Sequence, residues 1–346
     1  MRRVMGLSLG LLCLALGLEA QPQSAQFVFW NVENYFDPFV DSLRQDMAFT
    51  PAGANHWTWR RFIAKRDAIA KTLIAVGEGD FPVWVGLCEV ESRFALEQLV
   101  RETPLAKGEY RVLHRDGPDA RGIDVALLYR PQRFRPLHVD FLRVRFADTS
   151  RHTREILYVK GVLDDLDTLH IWVNHWPSKL GGAKVSLPRR FAAAQRLRAS
   201  VDSVFALHPR ANMIITGDFN DTPQAKPLVQ GLGAVPLPKS RELPQSLPEQ
   251  QLFNLAAPLA ADRAGTIRFR GKWELIDQCV VSSNLLRRDE PLTISPSAFK
   301  IFKAPFLLAT ERNFLGEKPF RTYLGPRYQG GISDHLPVLW EIMRNY

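Results

Sequence analysis

Residues 212–221 read NMIITGDFND, an apolar segment that ends in a cluster of polar side chains. The first part of this segment is apolar nearly throughout, which is typical of a strand in a sheet covered on both faces. Residues 82–87, PVWVGL, have the same character. A strand buried on both faces needs a packed layer on either side of its sheet. These segments therefore predict an α/β protein in which further layers cover each sheet.

Strand-like and helical segments are mixed along the chain. The strand-like segments are 26–31, 82–88, 110–114, 123–130, 139–145, 155–163, 168–175, 212–217, 274–281 and 337–343. Helical periodicity is found at 59–77, 92–103 and 186–207. Because the helices do not alternate regularly with the strands, we predict two packed sheets with helices outside, not a doubly wound sheet. Residues 223–248 and 303–330 are predicted to be long surface loops.

The first twenty residues, MRRVMGLSLGLLCLALGLEA, have the pattern of a secretory leader. Two arginines precede an apolar stretch, and the small residue Ala20 suits a cleavage site. We expect residues 1–20 to be a signal peptide and residues 21–346 to form one domain. The apolar stretch is short for a transmembrane helix, so a stable membrane anchor is not expected. The expected location of the exported protein is periplasmic or extracellular.

The chain has 45 Lys and Arg residues against 36 Asp and Glu residues, which gives a net charge of +9. Positive charge favours polyanionic partners, such as nucleic acid, phosphorylated small molecules or an anionic membrane surface. A basic exported protein without such a partner accounts for the charge equally well, and nothing implies a protein partner. Cys88 and Cys279 lie inside apolar runs and are predicted to be two buried thiols.

Six predicted strands carry oxygen or imidazole side chains, five of them at or near one end and one, with Asp277, within the strand. These side chains are Asn31, Glu89, Asn174 with His175, Asp218 with Asn220, Asp277, and Asp334 with His335. Any one of them has a structural explanation, because Asn and Asp commonly begin turns. If the strand ends converge, the six groups together form a carboxylate-rich pocket. Oxygen ligands of this kind suit Mg²⁺, Mn²⁺ or Ca²⁺ better than zinc.

A divalent cation in a basic protein indicates phosphoryl chemistry. The cation neutralises phosphate oxygens while a positioned base activates water. A histidine held by a carboxylate supplies a base near neutral pH, and His335 is the natural candidate. We expect Asp277 in the middle of a strand, where it would fix the orientation of the His335 ring.

Six motifs in this chain resemble those of the endonuclease/exonuclease/phosphatase superfamily and follow the same order. They are FWNVEN, GLCEVE, NHWPSKLGG, TGDFND, IDQCVVS and SDHLP. The resemblance spans about residues 26–343, and GDFN together with SDHxP is its most specific part. It implies a four-layer α/β sandwich, in which helices flank two packed mixed β-sheets, and a metal-dependent phosphoester hydrolase.

The resemblance also implies a role for each matching residue. Asn31, Glu89 and Asp334 correspond to metal-site residues, with Glu89 the principal ligand. Asp218 and Asn220 correspond to the pair that orients the attacking water and the phosphate. His175 corresponds to the histidine that contacts the scissile phosphate. The remaining pair, Asp277 and His335, corresponds to the carboxylate and imidazole at the attacking or leaving oxygen.

Two further residues are candidates for substrate binding. Arg121 lies near a predicted strand start, where the family has a phosphate-contacting residue, but a solvated loop arginine explains it equally well. Lys179 follows NHWPS and would contact phosphate or cap the turn at Gly181. Arg312, Lys318, Arg321 and Arg327 would form a basic rim on the last long loop. Trp57 and Trp59 are predicted mainly to pack against the core.

The substrate is open among three classes of phosphoester. The favoured reading is an exported nuclease that hydrolyses phosphodiester bonds by in-line water attack, because the chain is basic and has a leader. A lipid phosphodiesterase of sphingomyelinase type would need an exposed apolar hairpin, for which residues 303–315 are the segment to test. A phosphatase acting on inositol phosphates is the third reading. An inactive binding protein would have lost some of the site residues, whereas this chain retains them.

Overall fold

The computed structural model describes residues 24–40 and 47–345. The predicted leader, residues 1–20, lies outside the described residues and stays a prediction. The α-helices are α1 (Trp59–Val76), α2 (Arg93–Arg101), α3 (Ala183–Leu207) and α4 (Ala257–Ala261). Short 3₁₀-helical segments lie at Met47–Phe49, Pro104–Gly108, Ser283–Leu286 and Pro305–Leu307, and a π-helical turn lies at Pro227–Leu232. The strands are β1 (Ala25–Tyr35), β2 (Trp84–Val90), β3 (Arg111–His114), β4 (Asp124–Tyr129), β5 (Phe134–Leu142), β6 (Ile156–Leu163), β7 (Asp167–His175), β8 (Asn212–Asp218), β9 (Ala234–Pro236), β10 (Leu252–Asn254), β11 (Ile267–Phe269), β12 (Lys272–Glu274), β13 (Asp277–Ser282), β14 (Leu292–Thr293), β15 (Lys300–Ile301), β16 (Leu308–Thr310), β17 (Glu317–Pro319), β18 (Tyr323–Leu324), β19 (Arg327–Tyr328) and β20 (Val338–Arg344).

Two seven-stranded sheets form the centre of the molecule. Sheet 1 has the strand order β14-β20-β1-β2-β4-β3, and β15 also pairs with β20. Sheet 2 has the order β5-β6-β7-β8-β13-β10-β9. Both sheets are mixed, because β1 runs parallel to β2 and β7 runs parallel to β8 among antiparallel neighbours. The predicted pair of packed mixed sheets is confirmed.

Alternation along the strands divides the core into three layers of apolar side chains. On β1, Phe27 and Phe29 face sheet 2 and belong to one apolar cluster with Val173 and Ile214 of that sheet. Their neighbours on β1 face the other way and pack against α1 and α2. On the far side of sheet 2, a third apolar layer includes Leu197 and other buried residues of α3. The order of layers is therefore helix, sheet, sheet, helix, as the four-layer sandwich predicts.

Helical crossovers bring the functional ends of the central strands together. A parallel pair needs a long connection, and α1 supplies it between β1 and β2 while α3 supplies it between β7 and β8. The carboxyl ends of each pair consequently lie at the same edge of their sheet. Contacts of β1 with β8 and of β2 with β7 place both edges side by side.

Several predicted boundaries differ from the structure. Helix α3 begins at Ala183, three residues before the prediction, and Pro188 lies within it. Strand β5 begins at Phe134, because a Pro136 that lacks an N–H is tolerated in this edge strand beside a bulge. The predicted loops also contain short elements, namely the wide helical turn at Pro227–Leu232 and the hairpins β16–β17 and β18–β19.

The predicted burial is confirmed for Cys88, Cys279 and Trp57, whereas Trp59 is partly exposed. Cys88 and Cys279 are free and buried. Trp57 is buried and donates through Nε1 to Phe36 O, whereas Trp59 is 43% exposed in an aromatic group with Phe62. Within the described residues, none of the helices is long and apolar enough to cross a membrane.

Candidate active site

Sheet 2 carries a row of three ionisable side chains at the edge where its central strands end. His175 on β7 is in register with Asp218 on β8, and Asp218 is in register with Asp277 on β13. All three face sheet 1, since they continue the alternating positions that fill the core between the sheets. His175 Nε2 lies 3.6 Å from Asp218 Oδ2. Strand pairing therefore places these three buried side chains next to one another.

Asn31 and Glu89 face the row from sheet 1. Asn31 Nδ2 donates to Asp218 Oδ2 at 3.1 Å and to Glu89 Oε1 at 3.4 Å. The pairing of β1 with β2 is interrupted at this level, where Asn34 (φ 52°) and Glu89 (φ 60°) are left-handed. The N–H of Asn34 donates to Glu89 Oε2 at 2.9 Å. Irregularities of this kind redirect side chains, and here the Glu89 carboxylate is directed towards Asp218.

His335 reaches the row from the loop before β20. Trp30 Nε1 donates to His335 O at 2.9 Å, and Ser333 Oγ donates to Asn31 O at 2.6 Å. His335 N–H in turn donates to Ser333 Oγ at 3.0 Å. The ring is fixed by a 2.7 Å hydrogen bond between His335 Nδ1 and Asp277 Oδ2. The other ring nitrogen, Nε2, then lies 3.9 Å from Asp218 Oδ2.

The predicted pair of His335 and Asp277 is therefore present, but the expected position of Asp277 is wrong. Asp277 is the first residue of β13 and not a mid-strand residue. The apolar residues before it, Leu275 and Ile276, suggested a longer strand, whereas Lys272–Glu274 belongs to a separate hairpin with β11. The position at a strand start aligns the carboxylate with Asp218 across the sheet.

Different surroundings leave one of the two histidines charged and the other neutral at neutral pH. Burial alone would lower the pKa of His335, but the Asp277 carboxylate outweighs it and holds that pKa well above its usual value. Burial lowers the pKa of His175 well below its usual value, and the nearby cation of Arg154 lowers it further. Burial raises the pKa of Asp218 to about 7, an increase that His335 opposes and Asp277 reinforces. The site thus combines a cationic imidazole, a neutral imidazole and a carboxylate that titrates near neutrality.

Asn220 connects the row to a buried arginine that sequence reasoning missed. Asn220 N–H donates to Asp218 Oδ1 at 2.8 Å, and its Nδ2 donates to Trp176 O at 3.0 Å. Arg154 donates to the same Trp176 O at 2.8 Å and to Asp119 Oδ2 at 2.9 Å. In the sequence, Arg154 is one of many charged residues beside a strand, so no local pattern distinguishes it.

The two predicted substrate-binding residues lie at the rim. Arg121 is half exposed, and its Nε lies 3.5 Å from Asp119 Oδ1. Lys179 Nζ lies 3.3 Å from Glu274 Oε2 and 3.5 Å from Asp221 Oδ1. The ammonium of Lys179 is therefore held between two carboxylates, while its predicted role in substrate binding stays a prediction.

Asp334 lies at the opposite rim, in contact with an arginine of the predicted basic rim. Arg321 donates to Asp334 Oδ2 at 3.0 Å and to Glu33 Oε1 at 3.2 Å. Behind them, Lys65 Nζ is buried and donates to Glu33 O and, at 2.6 Å, to Thr322 Oγ1. Burial lowers the pKa of Lys65 to about 8 and raises that of Glu33 to about 7. This network ties the loop around Arg321 to the bulge of β1.

The oxygen donors of this pocket fit a hard divalent cation. Glu89 is partly exposed, and each of its oxygens accepts one hydrogen bond, which leaves lone pairs for a metal. Asp277 Oδ1 is buried without a hydrogen-bond partner among the described residues. Asn31 presents its nitrogen to the carboxylates here, since its Oδ1 accepts from Glu33 N–H at 2.9 Å. Asp334 keeps Oδ1 available, because Arg321 binds its other oxygen. The chemistry of these groups suits Mg²⁺, Mn²⁺ or Ca²⁺.

A family model matches almost all of the described residues. Residues 26–344 match the model described as the Endonuclease/Exonuclease/phosphatase family. No curated protein matches the sequence significantly.

Solved structures share the fold at low sequence identity. The D. rerio TDP2 complexed with single strand DNA product is 14% identical, with 92% of this chain and 98% of that chain covered and a TM-score of 0.53. The human Nocturnin catalytic domain with bound sulfate anion is 17% identical, with 93% and 95% covered and a TM-score of 0.53. An endonuclease/exonuclease/phosphatase family protein from Bacteroides thetaiotaomicron is 13% identical, with 94% and 100% covered and a TM-score of 0.51.

Proposed function

Because the chain belongs to the endonuclease/exonuclease/phosphatase family, whose members are generally metal-dependent phosphoesterases, we propose that it is an exported, divalent-metal-dependent nuclease. The proposed reaction is hydrolysis of a phosphodiester bond in nucleic acid by in-line attack of water. The observation that carries the proposal is the convergence of His175, Asp218, Asp277 and His335 at one edge of the two sheets.

Asp218 and His335 are proposed to hold the attacking water between them. Their atoms Oδ2 and Nε2 lie 3.9 Å apart, a separation that one water molecule can bridge with two hydrogen bonds. A carboxylate whose pKa is about 7 suits a general base near neutral pH, so Asp218 would accept the proton of this water. Asp277 holds the His335 ring, and the cationic ring would stabilise the negative charge on a phosphate oxygen.

The other polar groups are proposed to position the phosphate. His175 is neutral, and its Nε2 faces Asp218 and Glu89 from the opposite side of the row. A proton on that nitrogen would be donated to a non-bridging oxygen. Asn220 is bonded through its backbone to Asp218 and through its side chain to Trp176, so it fixes the base relative to the substrate.

Glu89 is proposed as the principal ligand of the cation, with Asn31 and Asp334 beside it. A bound divalent cation would neutralise phosphate oxygens as charge develops on them. For this chain the proposed ion is Mg²⁺, with Mn²⁺ or Ca²⁺ as alternatives.

Two observations support nucleic acid as the substrate. The chain carries a net charge of +9, which favours a polyanion. A fold neighbour, D. rerio TDP2, was solved with a single strand DNA product. Export is proposed from the composition of residues 1–20, which suits a periplasmic or extracellular enzyme.

A metal-dependent hydrolysis panel on purified protein tests the proposal. The substrates would be plasmid DNA, RNA, sphingomyelin, inositol polyphosphate and bis(p-nitrophenyl) phosphate, each with Mg²⁺, Mn²⁺, Ca²⁺ or EDTA. We expect metal-dependent cleavage of nucleic acid, and a loss of about 10²- to 10⁴-fold in His335→Ala. His138→Ala, which removes an exposed histidine of β5, is the matched control.

The panel also separates the alternatives. Turnover of lipid or inositol phosphate without cleavage of nucleic acid would support the candidate active site but would show that the proposed substrate is wrong. Absence of activity on every phosphoester would contradict the proposed enzyme and favour a binding protein on the same scaffold.

A further inference from the structure

A basic cavity opens beside the candidate active site, on the side of His175. Its volume is about 930 Å³, and it lies between residues 119–121, 146–154 and 177–192. Four arginines line it, and we call it the arginine cavity: Arg121, Arg151, Arg154 and Arg189.

The arginine cavity has more positive than negative charge. Asp119 pairs with Arg154 at 2.9 Å, and Asp148 pairs with Arg151 at 3.0 Å. Within residues 24–40 and 47–345, Arg189 on α3 has no hydrogen-bond or ion-pair partner. Two carboxylates therefore face four guanidinium groups, and the surplus favours an anionic ligand.

Two buried polar atoms in the cavity wall lack a partner. Thr153 is 4% exposed and Arg154 is 5% exposed, and both line the cavity. Thr153 Oγ1 and Arg154 Nε have no hydrogen-bond partner among the described residues. Buried polar atoms are rarely left unpaired in a native structure, so they indicate a missing partner.

The cavity and the candidate active site share a wall. Trp176 follows His175 directly, and its carbonyl oxygen accepts from both Arg154 and Asn220. Leu180 and Val185 also line the cavity, and both are large apolar side chains exposed to solvent. A cationic subsite next to exposed apolar side chains suits a nucleotide, which joins a phosphate to a flat aromatic base.

We propose that the arginine cavity binds a second phosphate of the substrate, while Leu180 and Val185 contact a nucleobase. The preferred substrate is then an oligonucleotide with a phosphate next to the scissile one, and not a phosphoester with a single phosphate. This inference rests on the proposed function, whose substrate class it narrows.

Chromogenic substrates that differ by one phosphate test the inference. One pair is thymidine 5′-(p-nitrophenyl phosphate) with and without a 3′-phosphate, and the other is thymidine 3′-(p-nitrophenyl phosphate) with and without a 5′-phosphate. In at least one pair, we expect the added phosphate to raise kcat/KM about tenfold, the effect of one charge-assisted hydrogen bond. In Arg189→Ala this ratio should fall towards one. Arg196→Ala, two turns further along α3 and outside the cavity lining, should keep the ratio.

These experiments distinguish an error in the inference about the arginine cavity from an error in the proposed function. Hydrolysis without any preference for the added phosphate in either pair would contradict phosphate binding in the arginine cavity, while the proposed phosphodiesterase activity would stand. If no compound is hydrolysed, the proposed function is contradicted, and calorimetry then tests the cavity by comparing the affinities of thymidine 3′,5′-bisphosphate and thymidine 5′-monophosphate. Tighter binding of the bisphosphate that is lost in Arg189→Ala would support the cavity, and equal binding would overturn it.

Discussion

The orientation of one imidazole depends on a single carboxylate in this site. Asp277 Oδ2 accepts from His335 Nδ1 at 2.7 Å in a buried setting, and this leaves His335 Nε2 to face Asp218. A buried pair of this kind acts as a unit, because loss of either member leaves the other misplaced or uncompensated.

Asp277→Asn and His335→Ala should therefore have non-additive effects on catalysis. We expect each to lower kcat by about 10²-fold or more on the substrate identified by the panel. The double variant should be no slower than the slower single variant. Steady-state kinetics on variants shown by circular dichroism to be folded would check this, and multiplicative losses would show that the residues act separately.

A histidine remote from the site, His170, should make stability depend on pH. Burial and, to a smaller extent, the nearby charges of Lys160 and His208 together lower the pKa of His170 from 6.5 to about 4. Below pH 6.5 the unfolded chain takes up a proton that the folded chain does not, so stability is lost as the pH falls. Between pH 7 and pH 5 this linkage amounts to about 2 kcal/mol.

His170→Gln should remove that part of the pH dependence. Glutamine can keep the hydrogen bond to Tyr158 OH, which lies 2.8 Å from His170 Nδ1, but it does not titrate. Urea unfolding of the wild type and the variant at pH 7 and pH 5 measures the difference. His138→Gln, at an exposed histidine, should retain the wild-type response. Equal responses of wild type and His170→Gln would show that His170 is not the linked group.

At the scale of the elements, the close approach of β7 and β8 sets the spacing of His175 and Asp218. Gly217 is in register with Asn174, one position before the functional pair. A Cβ at Gly217 would lie 2.3 Å from Asn174 O, which real structures do not tolerate. A side chain here must push the two strands apart.

Gly217→Ala should therefore affect both stability and activity. We expect a loss of about 1–3 kcal/mol in the free energy of unfolding, the usual cost of overpacking, and a lower kcat from the displaced pair. Gly86→Ala is the comparison, because its Cβ would meet the Phe29 ring at 3.1 Å, away from the site. If Gly217→Ala retained wild-type kcat, the strand spacing would not control the chemistry.

At the scale of the whole molecule, carboxylates from both sheets meet in one pocket. Glu89 belongs to sheet 1, whereas Asp218 and Asp277 belong to sheet 2. A cation bound there would be held by the folded chain and not by the unfolded chain, so it would stabilise the assembled sandwich.

Mg²⁺ should therefore raise the melting temperature in a concentration-dependent manner, and EDTA should reverse the increase. At one hundred times its Kd, a ligand of this kind stabilises the fold by about 2.7 kcal/mol. Glu89→Gln should abolish the shift, whereas Asp289→Asn, at an exposed carboxylate outside the pocket, should keep it. A shift that survives in Glu89→Gln would place the cation elsewhere.

Local sequence patterns were sufficient for much of the architecture. Runs such as 212–217 predict buried strands because the side chains of both faces are apolar, and α1 was predicted to within one residue of its ends. The position of Asp277 was wrong because the apolar pair before it, at 275–276, continues the strand pattern through a break in pairing. Periodicity records burial, and it does not record where a hydrogen-bonded ladder begins.

The sequence by itself determined the layers of this protein and the residues that carry its candidate chemistry, since alternation and motif order are local properties. Only the tertiary structure decided how those residues meet. The register of β7, β8 and β13 aligns His175, Asp218 and Asp277, and pairing across distant strands cannot be read from neighbouring residues. Likewise, Arg154 lies beside Trp176 because two separate loops pack together. The sequence around Arg154 resembles that around many other arginines, so this long-range contact cannot be predicted from it.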